Sequence, residues 1–336
     1  MGVQCEAVQR ATAKPSGRSR RSETPAAKEK CRVTIYYQGK DITRYVQVRK
    51  CIARDTCGER CDSIEIEFEN AAGWYRWQPE EDDQIIVAQD GYNTGIMYLN
   101  TILPESDKYR IVATSLPCAA RKKEYRSFTG KTIEEIMRIC AVRTGMDCEL
   151  YGVKSKTIIP YIMQEDESAA AFLRRLLLWE GAQLKCLNGT YIAIGTEYAQ
   201  SLKAVQTIAI SAETKGTEYR RENKRYRMAK VRTPLASTVA EDSLFTKGDM
   251  VLLLDLPARD SIQAARWARG VLMDVNRRNE ELVLNTTFNP AMTAMTRIDI
   301  TGGTDASGEW LVQEAEHDFV NKTTRVKLHR CIRTIL

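Results

Sequence analysis

The feature that most constrains this chain is a change of hydrophobic period, made twice. Residues 31–116 carry apolar side chains with a period of two, residues 117–200 largely with a helical period, and residues 201–336 return to two. Alternation is cleanest over Asp62 to Glu69. There Ile64, Ile66 and Phe68 share one face, and Ser63, Glu65, Glu67 and Glu69 the other. Arg32 to Tyr37, Gln84 to Gln89, Gly95 to Leu103 and Lys108 to Ser115 read as further strands. Asp90-Gly91 and Pro104 to Asp107 supply turns. Short strands at this spacing predict a small barrel or sandwich.

In the middle third, Thr132-Ile-Glu-Glu135 is a capping box that opens a helix ending near Gly145. Its apolar stripe is Ile133, Ile136, Met137 and Cys140. A second helix is predicted from Asp166–Ser168 to just before Gly181, burying Ala169, Phe172, Leu173, Leu176 and Leu177. Gln183 to Leu187, Asn188-Gly189 and Thr190 to Gly195 read as strand, tight turn and strand. In the last third, Gln206 to Ser211, Thr217 to Thr233 and Met250 to Leu256 are strand candidates. Asp260-Ser-Ile-Gln263 caps a helix to about Asn279, with Ala264, Ala265, Ala268, Val271, Leu272 and Val275 inward. Glu281 to Thr287, Arg297 to Thr301, Trp310 to Phe319 and Thr323 to Ile332 complete the strands. The predicted class is mainly β with an α+β insert, and the two β regions are candidates for a degenerate repeat.

Composition narrows the function. A chain of 336 residues has room for two or three domains, and 43% hydrophobic with 28% charged residues is ordinary for a globular protein. The longest apolar stretch, Ala169 to Trp179, is broken by Arg174 and Arg175, far short of the ~20 residues a spanning helix needs. No secretory leader is visible, so synthesis and residence in a cytoplasm are expected, and no membrane binding by the free protein. The net charge of +6 is uneven: residues 1–30 hold seven Lys/Arg against three Asp/Glu. The nearly neutral body gives no reason to expect specific nucleic-acid binding.

No motif carries catalysis. Two histidines, His317 and His329, are too few for most His-based sites and read as strand-face residues. The ten cysteines include no C-x-x-C, so neither a metal nor another cofactor is expected. Glu80 to Asp83 reads as a solvated acidic loop. Glu165, Asp166 and Glu167 read as carboxylates at the positive end of a helix. Lys122, Lys123 and Arg126, and later Arg220, Arg221, Lys224, Arg225 and Arg227, interleave with Tyr125, Tyr219 and Tyr226. Glu124, Glu218 and Glu222 offset them, which favours solvated strand faces or a protein interface over base stacking.

Several segments in order resemble the late control protein D family, the baseplate hub proteins of contractile phage tails and tail-like particles. Asp41-Ile-Thr-Arg-Tyr45 is similar to the family's opening strand. Ile111 to Leu116, followed by a basic stretch and Ser127 to Ile133, resembles the end of its first barrel. Gln164 to Ser168, Ala171 to Leu176 and Trp179-Glu-Gly181 resemble its connector helix, and Gly189 to Ile194 the strand after it. Ala264 to Ala268, Leu282 to Leu284, Pro290, Gly308 to Val312, Glu316 to Asp318 and Thr323 to Leu328 are similar to its second barrel. The resemblance excludes the N-terminal arm.

The resemblance implies two tube-like β-barrel modules, 31–116 and 201–336 with a packed helix, joined by an α+β connector over 117–200. It implies a non-enzymatic homotrimer whose six similar units match a hexameric tail tube to a trimeric central spike. The implied partners are the tail tube protein, the spike protein, other baseplate proteins and, as a further candidate, the tape measure protein. The implied location is the virion tail baseplate, after assembly in the host cytoplasm. A tail-associated peptidoglycan hydrolase is the competing reading, and nucleic-acid binding through the arm is another. Residues 1–30, with Arg18, Arg20, Arg21, Lys28 and Lys30, have too little apolar surface to fold alone and are expected to lie along a partner. Cys5 and Cys31 sit in or beside this arm, and Cys51, Cys57 and Cys61 in a turn-rich, charged stretch where exposure is expected. These five are the disulfide candidates in a particle released into an oxidising medium.

Overall fold

The computed structural model describes residues 33–69, 78–211, 213–222, 225–243, 251–333 and 335. The arm, with Arg18, Arg20, Arg21, Lys28, Lys30, Cys5 and Cys31, lies outside them. In the first β region the expected strands form as Thr34–Tyr37, Ser63–Glu69, Gln84–Gln89, Met97–Pro104 and Lys108–Thr114. The alternation of Ser63–Glu69 is realised: Ile64, Ile66 and Phe68 pack with Ile35, Ile85, Val87, Leu99 and Ile111 in one core. A further strand, Val48–Thr56, was not expected, because Arg49, Lys50, Arg54 and Asp55 obscure its pattern. It is central: Ser63–Phe68 pairs with Val48–Arg54 on one side, and Gly308–Asp318 pairs with Ile52–Thr56 on the other.

The connector follows its capping signals. Helix Ile133–Thr144 begins with the reciprocal Thr132–Glu135 box and ends at Gly145, whose φ of +68° suits glycine. Helix Ala169–Trp179 is capped by the Ser168 hydroxyl, which accepts from the Ala171 N–H. It buries the five expected residues. Strands Ala182–Leu187 and Thr190–Gly195 meet at Asn188-Gly189, both left-handed as a two-residue hairpin turn requires. Asp147–Tyr151 adds to this pair in parallel. The basic stretch after residue 122 is a strand, Lys123–Thr132, paired with Ile158–Ser168. Glu165, Asp166 and Glu167 are therefore not first-turn helix residues. They occupy an irregular strand end, where Asp166 pairs with Lys123 and Glu167 with Arg175.

The second β region is built from Thr217–Arg221, Glu280–Thr287, Thr323–Arg330, Gly308–Asp318, Arg297–Thr301 and Gln206–Ala209. Its core holds Leu282, Leu284, Ile298, Trp310, Val326 and Leu328. The expected run from Thr217 to Thr233 divides: Met228–Arg232 joins Ser237–Glu241 and Val251–Leu254 in a separate small sheet. Helix Ser261–Arg277 is capped by Asp260 and buries Ala264, Trp267, Ala268 and Leu272. Ala265, expected inward, is exposed; it lies one step, ~100°, off the buried stripe. This helix and the small sheet share one core with the two connector helices.

The two β regions are parts of one sheet. Gly308–Asp318 pairs with Val48–Thr56 from Glu314–Thr56 to Asp318–Ile52, next to a register shift between Val312 and Glu314. The strand order therefore runs from Thr217–Arg221 at one end, through this junction, to Thr34–Tyr37 and Lys40–Asp41 at the other. Helices Ala169–Trp179 and Ser261–Arg277 approach at Gly270, where a Cβ would collide with backbone atoms of Leu178, Trp179 and Gly181. Gly270→Ala is expected to destabilise the fold by about 1–3 kcal/mol through overpacking, measured by denaturant melting, although alanine is the better helix former.

Candidate functional site: the junction of the three regions

The two β regions and the connector meet around one buried ammonium. Strand Ala182–Leu187 is buried at every position, and Lys185 stands in its middle. The Lys185 Nζ donates to Asp55 Oδ1 at 2.9 Å and to Asp62 Oδ2 at 2.9 Å. Asp55 Oδ1 also accepts the Ala294 N–H at 2.7 Å, and Asp62 Oδ1 accepts the Thr56 N–H at 2.8 Å. Ala294 belongs to the second β region, Asp55 and Asp62 to the first, and Lys185 to the connector, so one cluster ties all three. Around it, the Gly58 N–H donates to the Leu184 carbonyl at 3.0 Å, and the Cys57 N–H to the Gln313 carbonyl at 3.3 Å. The buried Arg277 donates to Gln313 Oε1 at 2.8 Å and to Asp274 at 2.9 Å, and Gln183 donates to the same carboxylate.

The electrostatics follow from burial and charge count. Burial opposes the charge on Lys185, but Asp55 and Asp62 outweigh it and hold the ammonium above its usual range. Two carboxylates share one ammonium. Burial, helped by Asp55, pushes the Asp62 carboxyl up to about 7 against the pull of Lys185. Burial also opposes the charge on Asp274, yet Arg277 and Arg278 keep its carboxyl below the usual range. His317 and His329 do lie on strand faces, both buried. Burial lowers them to about 4 and about 3. His317 Nδ1 meets Thr324 Oγ1 at 3.0 Å, and His329 Nδ1 meets the Arg277 carbonyl at 3.3 Å.

Among the cysteine candidates the structure corrects the expected exposure. Cys51 lies on a strand, not in a turn, and is buried in the first β core. Cys57 is buried at the junction, its thiol donating to the Leu184 carbonyl at 3.5 Å. Burial pushes the Cys57 thiol up to about 12 and raises Cys51 further. Cys61 is half-buried, and all three are free thiols. The acidic run is a surface loop, as expected, with Glu80 and Glu81 exposed, and it is also held by hydrogen bonds and an ion pair. Asp83 accepts from the Tyr37 hydroxyl and Gln38, Asp82 from the Cys118 N–H at 2.8 Å, and Glu81 pairs with Arg121. Arg225 pairs with buried Asp242. Among the described residues no group of three His, Cys, Asp or Glu is placed to hold a metal ion, and no helix is long and apolar enough to cross a membrane.

Sequence reasoning missed Lys185, Asp55 and Asp62. Two signals stood in view: a lysine inside the apolar run Ala182–Leu187, and Asp62 in phase with Ile64, Ile66 and Phe68. Lys185→Met strands two buried carboxylates and is expected to cost about 3–5 kcal/mol in a denaturant melt. Asp62 carries the pH dependence. Its folded value lies above the unfolded one of about 3.9, so its stabilising share is full below that value and is lost as pH rises through about 7. Asp62→Asn should therefore gain in melting temperature relative to the parent as pH rises from about 5 to 8, whereas a constant difference would refute the assignment. The two histidines act in the opposite sense, losing stability as pH falls through about 4 and 3, and they cancel in this comparison.

No family model matches the chain, and no curated protein matches it in sequence. Solved structures do. The 43 kDa tail protein of prophage MuSo2 from Shewanella oneidensis is 12% identical with a TM-score of 0.69, covering 89% of this chain and 98% of its own. A tail protein from Neisseria meningitidis MC58 is 11% identical with a TM-score of 0.71, covering 89% and 96%. The E. coli c3393 protein, described as a type VI secretion component similar to phage tail proteins, is 13% identical with a TM-score of 0.54, covering 86% and 74%. The mainly β architecture with its α+β insert, expected from the sequence, is therefore the fold of these phage tail proteins.

Proposed function

We propose that the chain is the structural hub of a contractile-tail baseplate, in an infectious phage or a related tail-like particle. Three copies form a ring of six similar β units around a passage. The ring matches a sixfold tail tube on one side to a threefold spike on the other. The observation that carries this reading is the register of Glu314–Asp318 on Ile52–Thr56, which holds two β units of one chain side by side in a single sheet. Residues 31–116 and 201–336 are the two units, and residues 117–200 join them through Lys185. The fold shared with phage tail proteins supports the tail setting. Strand Thr217–Arg221 pairs on one side only among the described residues, and such an edge calls for a neighbouring chain.

In this reading the protein is not an enzyme. Its partners are further copies of itself, the tube, the spike and other baseplate proteins. The basic arm, residues 1–30, lies along a neighbour. Cys5, Cys31 and the half-buried Cys61 are the thiols suited to covalent links between chains, since Cys51 and Cys57 are buried within one. Electron microscopy and mass measurement of assembled particles should give three copies per ring, each with two β units; six copies per ring would refute the hub role. On the same particles, removal of residues 1–30 should weaken assembly, and alkylated hub protein running only as a monomer on a non-reducing gel would reject the interchain bonds.

A further inference from the structure

The cluster around Lys185 holds more than an ion pair needs. The Lys185 ammonium donates to Asp55 Oδ1 at 2.9 Å, to Asp62 Oδ2 at 2.9 Å and to the Thr56 carbonyl at 3.4 Å. Side-chain exposure is 0% for Lys185, 4% for Asp55 and 3% for Asp62, so the three groups meet out of reach of bulk water. Among the described residues no other cation pairs with either carboxylate. The nearby Arg277 and Arg278 are taken by Asp274 and Glu59. Two carboxylates thus face one ammonium, and a surplus buried carboxylate costs stability. The same three groups are what amide formation between side chains requires: an amine as nucleophile, a carboxyl as electrophile, and a second carboxyl to move protons.

We propose that Lys185 and Asp55 join in an intramolecular isopeptide bond, with Asp62 relaying the protons. The contacts assign the roles. Lys185 Nζ is held against the Asp55 carboxyl, which replaces a chance encounter by a fixed one. A turn of that carboxyl about its soft Cβ–Cγ torsion presents its carbon to the nitrogen. Asp55 Oδ1 accepts the Ala294 N–H at 2.7 Å, a fixed donor for the negative charge that builds on this oxygen as nitrogen adds. Asp62 is anchored through Oδ1 by the Thr56 N–H at 2.8 Å, which leaves Oδ2 on Lys185. Burial pushes the Asp62 carboxyl up to about 7, the range in which a group both takes and returns a proton at neutral pH. In the first step one ammonium proton passes to Asp55, and the charge of the cluster is unchanged. The Nζ lone pair then attacks Asp55 Cγ, and Asp62 takes a second proton from the nitrogen. Asp62 returns that proton to the departing hydroxyl: the Cγ–N bond forms, a Cγ–O bond breaks and one water leaves. The dry site favours the step, since the neutral acid and amine are penalised less there than their ions. The carboxylates hold Lys185 as an ammonium, so the amine form is scarce and the bond accumulates slowly, after folding. The ion-paired cluster is the state before ligation. Once formed, the bond closes a link between positions 130 residues apart and fixes the connector to the first β region. It is a property of the single chain and does not rest on the hub reading.

The test is the intact mass of the purified full chain, denatured after storage in its folded state. The parent should be lighter than its sequence requires by one water. A protease digest should contain a branched peptide in which Lys185 is joined to Asp55, and trypsin should no longer cut after Lys185. The D62N and K185R variants should both keep their full sequence mass: the first lacks the proton relay, and the second keeps the cation but lacks the amine. A parent at full sequence mass, with Lys185 cleaved in the ordinary way, overturns the proposal. So does a water loss that persists in K185R, which is dehydration of an aspartate alone. A branch that maps to Asp62, or a bond that forms equally in D62N, overturns the assigned roles. Should either variant fail to melt cooperatively, the mass and the branched peptide of the parent decide by themselves. Copy number in particles tests the hub role separately, so failure of one reading is distinct from failure of the other.

Discussion

The ammonium of Lys185 is the group on which the arrangement of the three regions depends. A charge removed from water costs several kcal/mol unless it is met by opposite charge and hydrogen bonds. Here the partners come from elsewhere in the chain: Asp55 and Asp62 from the first β region, with the Ala294 N–H of the second completing Asp55. The connector can be buried in this position only if both β regions are in register beneath it. An apolar cluster of similar volume could bind as tightly, but it would tolerate sliding that fixed donors and acceptors do not.

The same logic explains why the junction carries two further buried pairings. Arg277 bridges Asp274 and Gln313, and Gln183 reaches the same Asp274. Gln313 lies between the two residues where the strand register shifts, so the irregularity turns an amide toward Arg277 and the Cys57 carbonyl instead of the sheet. Helix Ser261–Arg277 is thus fixed at its C-terminal end by the sheet junction and along its length by helix Ala169–Trp179 and the small sheet of Met228–Arg232 and Ser237–Glu241. The close approach at Gly270 leaves no room for it to shift.

Much of this fold was legible because its strands and helices obey simple periods. The Thr132 capping box, Gly145, the Asn188-Gly189 turn and the buried stripe of Ala169–Trp179 were each readable from local chemistry, and each is realised. What escaped was set by distant parts of the chain. Val48–Thr56 looks too charged to be a central strand, because Arg49, Lys50 and Arg54 are matched by Glu67, Glu65 and Glu316 from other strands. Cys51 and Cys57 looked exposed for the same reason. Lys50 and Arg54 face away from the core that buries Cys51, whereas beside Cys57 the charges of Asp55 and Asp62 are themselves buried against Lys185. Lys185 and Asp62 could be flagged locally as misplaced charges, but nothing local shows that they pair with each other.

The register between Glu314–Asp318 and Ile52–Thr56 also has a consequence for biosynthesis. The strand that pairs with Val48–Thr56 is made long after it, with Arg54 and its partner Glu316 lying 262 residues apart. Until the ribosome has released residues up to Asp318, one edge of Val48–Thr56 stays open, and the Asp55 carboxylate lacks its donor until Ala294 has been made. Contacts of such long sequence separation form slowly, and the waiting edge is prone to wrong pairing. A product that stops short of Asp318 therefore cannot complete the sheet, because Val48–Thr56 then lacks the strand that covers this edge.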